Sequence, residues 1–368
     1  MDFEFTPEHE ELRQTVRRFL ERESPEARVR ALMETAAGYD ERVWKRMAEE
    51  LGLPGLVIPE RHGGAGLGPV ELAIAMEEMG RVLLCAPYLS TGVLSVYALL
   101  QVASEEERGR LLPEIASGAL IAAVALPPQA GSGDGACRAT REAGAWRLDG
   151  SAGFVIDGHV ADVVLVVART AEGLGLFRVE GGAAGLRRTA LPTLDLTRKL
   201  SRLEFSAVSA AAVSAGDASA GLERALALTI AALGAEQLGG AQRCLEAATE
   251  YAKTRLQFGR PIGSYQAIKH KCADLLVEVE FARSAAYHAA FRARAGNDAE
   301  AAEAAHMAKA YCSEAYFHAA AESIQIHGGM GFTWEHPAHL YFKRAKASAV
   351  LFGDPIHHRR ELARQIGI

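Results

Sequence analysis

Apolar residues recur at helical spacing from the start of the chain. In TPEHEELRQTVRRFLERE, Leu12, Val16, Phe19 and Leu20 share one face, Thr6 is placed to cap, and Pro7 suits the first helical position. A second helix is predicted through Trp44, Met47 and Leu51 with its stop at Gly52, and a third from Val70 to Arg81 after the glycine-rich turn RHGGAGLGP. From about Ala119 to Gly216 the period shortens. The runs IAAVAL, AWRLDG, DVVLVVAR, LGLFRV and LSRLEF, separated by Gly, Asp and Pro, read as strands of a small antiparallel β domain. Long helices return after Leu222. Ile268, Cys272, Leu275, Leu276 and Val279 form one stripe that stops at Gly296-Asn297, and Asp298 is placed to cap a further helix ending at His327-Gly328-Gly329. This order predicts an α+β chain, mainly α, in three domains: residues 1–118 helical, 119–216 a β-barrel-like module, and 217–368 a helical bundle of four or more helices.

One stretch needs a check against a membrane span, because Val82 to Ala103 carries no charge over about the length of a bilayer-crossing helix. Pro87, Ser90, Thr91 and Gly92 interrupt it, so a buried helix pair is expected and no membrane insertion. With 368 residues, 49% hydrophobic and 23% charged, the chain can bury a large core. Its net charge of −6, with both signs interspersed, gives no basic face for nucleic acid. The five cysteines are widely spaced and never form C-x-x-C, which argues against a disulfide framework or a metal site and points to a reducing cytoplasm. The opening MDFEFTPEHEEL has no apolar run behind a basic stretch and reads as no signal peptide.

The glycine clusters at Gly63–Gly68 and Gly131–Gly135 lack the strand-turn-helix context of a dinucleotide-binding loop and are read as turns. Arg255-Leu-Gln-Phe-Gly-Arg-Pro-Ile-Gly-Ser-Tyr-Gln266 is more informative. It sets an Arg fork suited to phosphate, a stacking face at Phe258 and a polar Gln266 in a turn between two long helices. On its own such a turn is better explained as an ordinary helix connection with a surface Arg. A second glycine turn, in IQIHGGMGFTWEHP, offers bare backbone N–H groups for close approach to a ligand. His327, His357 and His358 are read as structural or solvated, and Trp334, Tyr341 and Phe342 as core.

R-x-Q-F-G-x-P-I-x-x-Y-Q followed by Q-I-H-G-G-x-G-F resembles the acyl-CoA dehydrogenase family. FTPEHEELR, AEELGLPGL through EEMGR, and LLPEIASGALIAAVAL resemble its N-terminal domain and first strand, so the likeness covers nearly the whole chain. The resemblance implies that fold, an FAD cofactor, an acyl-CoA substrate, and an electron-transfer flavoprotein as electron acceptor. It also implies a homo-dimer or homo-tetramer, or a hetero-oligomer with a second chain of the same kind. It further implies that Arg255, Gln257 and Phe258 reach the FAD of a neighbouring subunit, with Arg255 on the pyrophosphate and Gln266 near the adenosine. Gln325, Gly328 and Gly329 are expected at the adenine or pyrophosphate end of that same flavin.

The likeness fails where the family keeps its base. The family reaction takes an α-proton from an acyl thioester with a carboxylate, usually Glu before Gly in the loop after the last long helix. Counting without gaps, that position here is Phe352; the alternative position, early in the first C-terminal helix, is Thr229. Neither abstracts a carbon-acid proton. The nearest carboxylates are Asp354, the remaining candidate base, and Glu236, both expected as solvated or capping groups. The family's T-E-P-G-A-G-S-D is replaced by Pro127 to Asp134, and its W-I-T or W-I-S by Phe154-Val155-Ile156, removing a hydroxyl from the flavin N5 region. Three readings follow: an acyl-CoA dehydrogenase involved in fatty acid or lipid metabolism, alone or as a subunit; a related flavin oxidase or monooxygenase; and a silent partner that completes a neighbour's FAD site.

Overall fold

The computed structural model describes residues 5–127, 136–142 and 144–368. The helices before the strands are α1 (Pro7–Glu23), α2 (Glu26–Met33), α3 (Glu41–Leu51), α4 (Pro69–Arg81), α5 (Val96–Val102) and α6 (Glu105–Ala116). Strands follow as β1 (Ala122–Ala125), β2 (Arg138–Glu142), β3 (Ala145–Ile156), β4 (Val163–Thr170), β5 (Gly173–Glu180), β6 (Leu186–Ala190) and β7 (Leu200–Ala212). The rest is α7 (Ser219–Thr254), the short strands β8 (Leu256–Gln257) and β9 (Arg260–Pro261), α8 (Gln266–Ala295), α9 (Asp298–His327), α10 (Ala338–Val350) and α11 (Pro355–Gln365). The chain folds as two compact units. One comprises Met1–Ala31, Pro69–Leu84 and Ile230–Ile368, the other Leu32–Gly68 and Cys85–Thr229.

The second of these units holds the sheet. Hydrogen bonding runs β4–β2–β3–β7–β5 and returns from β5 to β4, so the strands close on themselves around Leu148, Val164, Val166, Phe177, Leu203 and Phe205. The expectation of a purely antiparallel domain is corrected: β1 pairs with β4 in parallel. The β2–β3 hairpin intervenes between them, so the chain returns to β1's edge in the same direction. β2 and β6 escape pattern reading because their sequences, RATRE and LRRTA, are mostly exposed and polar. The uncharged stretch after Pro87 is a π-helical run, Tyr88–Ser95, leading into α5. It is buried, with Ser90 Oγ donating to Asp157 at 2.7 Å and Thr91 Oγ1 to the Ala122 carbonyl at 2.9 Å. No described helix is long and apolar enough to cross a membrane.

The first unit is helical. Thr6 and Pro7 open α1 as expected, and left-handed Gly296 ends α8. Asn297, one residue before the expected Asp298, caps α9 by accepting from the Ala299 and Glu300 N–H groups. Two adjacent carboxylates buried on α4 tie this unit together. Glu77 accepts from Arg13 at 2.6 Å and Arg283 at 2.7 Å, and Glu78 takes a fork from Arg17 at 2.8 Å. Each buried carboxylate is paired, as its desolvation requires.

Candidate functional site

The α7–α8 connection is a hairpin whose two central residues, Phe258 (φ 52°) and Gly259 (φ 77°), both have positive φ, as a two-residue type I′ turn demands. Phenylalanine pays steric strain there, and the turn holds its ring 92% exposed. Tyr265 braces the turn. Its hydroxyl donates to the Gln257 carbonyl at 3.1 Å and its ring lies 4.2 Å from the Arg260 guanidinium carbon. Arg255 is exposed, and its side chain has no hydrogen-bond or ion-pair partner among the described residues. Gln257 and Gln266 are also exposed, the latter bonded to His270 at 2.8 Å.

Gln325, Gly328 and Gly329 lie at the end of α9 and are exposed. Gly328 adopts φ 61°, ψ −140°, a region open only to glycine, and a Cβ on either glycine would meet nothing within 4 Å. Ile326 packs on Ala248 and Ala252, with Tyr251, Ile262 and Ile268 against them, and the Tyr251 and His327 rings stack at 4.4 Å. The structure thus gathers both sequence-predicted segments at one end of the helical unit. Around them Met330, Phe332 and Trp334 are exposed, the last at 64%, which corrects its assignment to the core. Trp334 sits in a turn between helices, and Lys343 Nζ covers one face of its ring at 4.0 Å. His327 and His358 are buried and structural, His327 Nδ1 lying 2.7 Å from the Ser323 carbonyl.

The positions of the family's base are filled otherwise. Phe352, with φ 60°, stands in the connection between α10 and α11. Thr229 is wholly buried in α7 and gives its hydroxyl to the Ala225 carbonyl at 2.8 Å. Asp354 is the N-cap of α11, accepting from the His357 N–H at 2.7 Å, and that bond holds its carboxyl below the ordinary range. Glu236 corrects expectation: it is neither solvated nor a cap but buried, gripped by the equally buried Arg344 at 2.8 Å. A carboxylate locked to a guanidinium is a poor base, because the cation stabilises its charged form.

Lys309, passed over by pattern reading, is fully buried on α9 behind the Phe352 loop. Its Nζ donates to Ser313 Oγ at 3.2 Å and to the carbonyls of Ala349 and Gly353 at 3.0 and 3.1 Å. Burial pulls its pKa down to about 7. A lysine inside the apolar run AAHMAKAYC was the available signal. A cavity of about 280 Å³ in the same unit, bordered by Arg17, Arg81, Arg243 and His336, includes none of the sequence-predicted residues. In the β unit, Phe154 (φ 55°) sits at a register shift in β3 and is exposed while Val155 and Ile156 are buried. Of the Pro127–Asp134 replacement, only Pro127 lies within the described residues.

Comparison with known proteins agrees across the chain. The family model "Acyl-CoA dehydrogenase, N-terminal domain" matches residues 6–119, and "Acyl-CoA dehydrogenase, C-terminal domain" matches residues 223–367. The chain is 38% identical to a Mycolicibacterium smegmatis protein named acyl-CoA dehydrogenase IpdE2, over 98% of this chain and 99% of that one. Among solved structures it resembles the ChsE4-ChsE5 complex from Mycobacterium tuberculosis (30% identity, TM-score 0.92, 100% and 99% covered). It also resembles a Tcur3481-Tcur3483 steroid ACAD variant (31% identity, TM-score 0.89, 98% of each chain covered).

Proposed function

The chain belongs to the acyl-CoA dehydrogenase family, an oxidoreductase family, and from that premise we propose that it is one subunit of a two-chain, FAD-dependent acyl-CoA dehydrogenase. The observation that carries this reading is an asymmetry. The Arg255–Gln266 turn and the Gly328–Gly329 turn are gathered and exposed, with the Arg255 side chain free of any partner among the described residues, while both base positions hold non-basic residues.

The donor set at the first place fits the adenosine and pyrophosphate end of a flavin. An unpartnered Arg fork suits phosphate oxygens, a displayed Phe offers a packing face, and Gly328 brings backbone N–H groups within reach where a side chain would intrude. In this reading Arg255 holds the pyrophosphate of the neighbour's FAD and Phe258 packs beside it. Gln257, Gln266, Gln325, Gly328 and Gly329 complete its adenosine side. When bound, FAD takes up the β-hydrogen of the thioester as hydride at N5. This chain moves no proton from the α-carbon, since Phe352 and Thr229 cannot accept it and Asp354 is committed to capping α11. That proton goes to a carboxylate of the partner chain. An electron-transfer flavoprotein would be the electron acceptor of such an assembly.

The likeness to the two-component ChsE4-ChsE5 complex and to the Tcur3481-Tcur3483 steroid ACAD supports a heteromer acting on the CoA thioester of a bulky ring system. Gel filtration of the purified chain with added FAD, monitored in the visible range, tests the assembly. Flavin should co-elute only with an oligomer; a yellow monomer would sink the reading.

A further inference from the structure

Four residues, Leu351–Asp354, connect α10 to α11 around Phe352, and they are held by both neighbouring elements. Asp354 caps α11, and Gly353 (φ 112°) lies so close to α11 that a Cβ there would come within 2.4 Å of His357 and 3.1 Å of His358. From beneath, Lys309 Nζ bonds the carbonyls of Ala349 and Gly353, which bracket the strained Phe352, and Ser313 Oγ, itself bonded to Gln237 of α7 at 2.9 Å. The two carbonyls match the two N–H groups of a neutral amine, so the closed site does not require the cation. No described carboxylate forms an ion pair with this buried amine, and the Gly353 carbonyl that it bonds belongs to the connection, so lifting the connection breaks that bond and opens the amine to water.

We propose that Lys309 is a proton-linked latch: the Leu351–Asp354 connection cannot open without hydrating its amine, and each opening takes up a proton. The sign follows from the two states. Closed, the lysine is held near 7 by burial; open and hydrated, it returns towards its ordinary value of 10.5. Between these limits the open state binds more protons, so raising the pH disfavours opening.

The other groups facing the amine are Cys312 on α9, Asp354 in the connection, His358 and His357 on α11, and His306 beyond His358. Burial pushes the Cys312 thiol up to about 12, the Asp354 carboxyl is lowered, and burial with the Lys309 cation pulls His358 down to about 3. His306 is also lowered by burial. His357, exposed, is controlled by the H357N variant.

Native-state amide exchange of the full chain in its purified oligomer, between pH 7 and 9, reads the latch directly. After correction for intrinsic rates, protection of the amides of residues 351–354 and 356–358 should rise by up to about tenfold per pH unit relative to amides in mid-α9. The same rise should persist in H357N and vanish in K309M. Flat protection in the wild-type chain would overturn the proposal without recourse to any variant. So would a pH dependence that survives in K309M.

Discussion

Two regions of the helical unit have been treated differently. At the α7–α8 turn and the Gly328 turn, arginine, glutamine and aromatic side chains stand in water, and a phenylalanine is held at φ 52° with its ring 92% exposed. At the α10–α11 connection another phenylalanine sits at φ 60°, but there the charged groups are engaged by the chain itself: Asp354 caps, Lys309 bonds carbonyls, and Glu236 on α7 is locked to Arg344. Strain that persists without internal reward points outward, to a ligand or another subunit. Strain surrounded by internal bonds points inward, to a connection being held in place. In the proposed reading, a chain with the first feature and no free carboxylate at the second completes a site and does not run one alone.

The contrast can be broken most sharply at Glu236. E236A removes the carboxylate that the buried Arg344 grips, so chemical denaturation should show a loss of about 3–5 kcal/mol with no specific loss of flavin from the folded fraction. R255A should do the reverse. Its melting temperature stays with the wild type, because the side chain bonds nothing in the chain, while flavin affinity of the assembled oligomer falls about 10- to 100-fold in equilibrium dialysis. F258A should weaken flavin binding by about two- to tenfold, the scale of one aromatic contact, and leave stability unchanged or slightly raised as strain at φ 52° is relieved. D354N should be the mildest, with a small drop in melting temperature that disappears in acid. Its carboxyl is held below the ordinary range by the α11 cap, so its contribution is present above that range and lost as pH falls through the lowered value. A D354N variant that abolished substrate-driven flavin reduction would instead make Asp354 the base.

Much of the frame was legible in the chain because its signals are local. Thr6 and Pro7 open α1, Gly52 and Gly296 close α3 and α8 in left-handed conformation, and the five β-branched runs became strands. Where two neighbours could cap equally, as at Asn297 and Asp298, pattern could not choose, and the bonds to Ala299 and Glu300 did. β2 and β6 were hidden because exposed strands carry no alternation to read. The buried charges were illegible for another reason: Glu236 meets Arg344 across 108 residues and Lys309 meets Gly353 across 44, and such pairings belong to tertiary packing. Trp334 was misplaced because aromatic residues near a helix start usually point inward, whereas this one lies on the exposed side of its turn.

The central claim is that this chain lends residues to a flavin site but brings no base, and anaerobic titration of the purified chain, loaded with FAD, with a panel of acyl-CoA thioesters tests it most directly. The account predicts that the flavin absorbance stays oxidised with every thioester. Bleaching by any of them would contradict it and would require a carboxylate in this chain to act as the base.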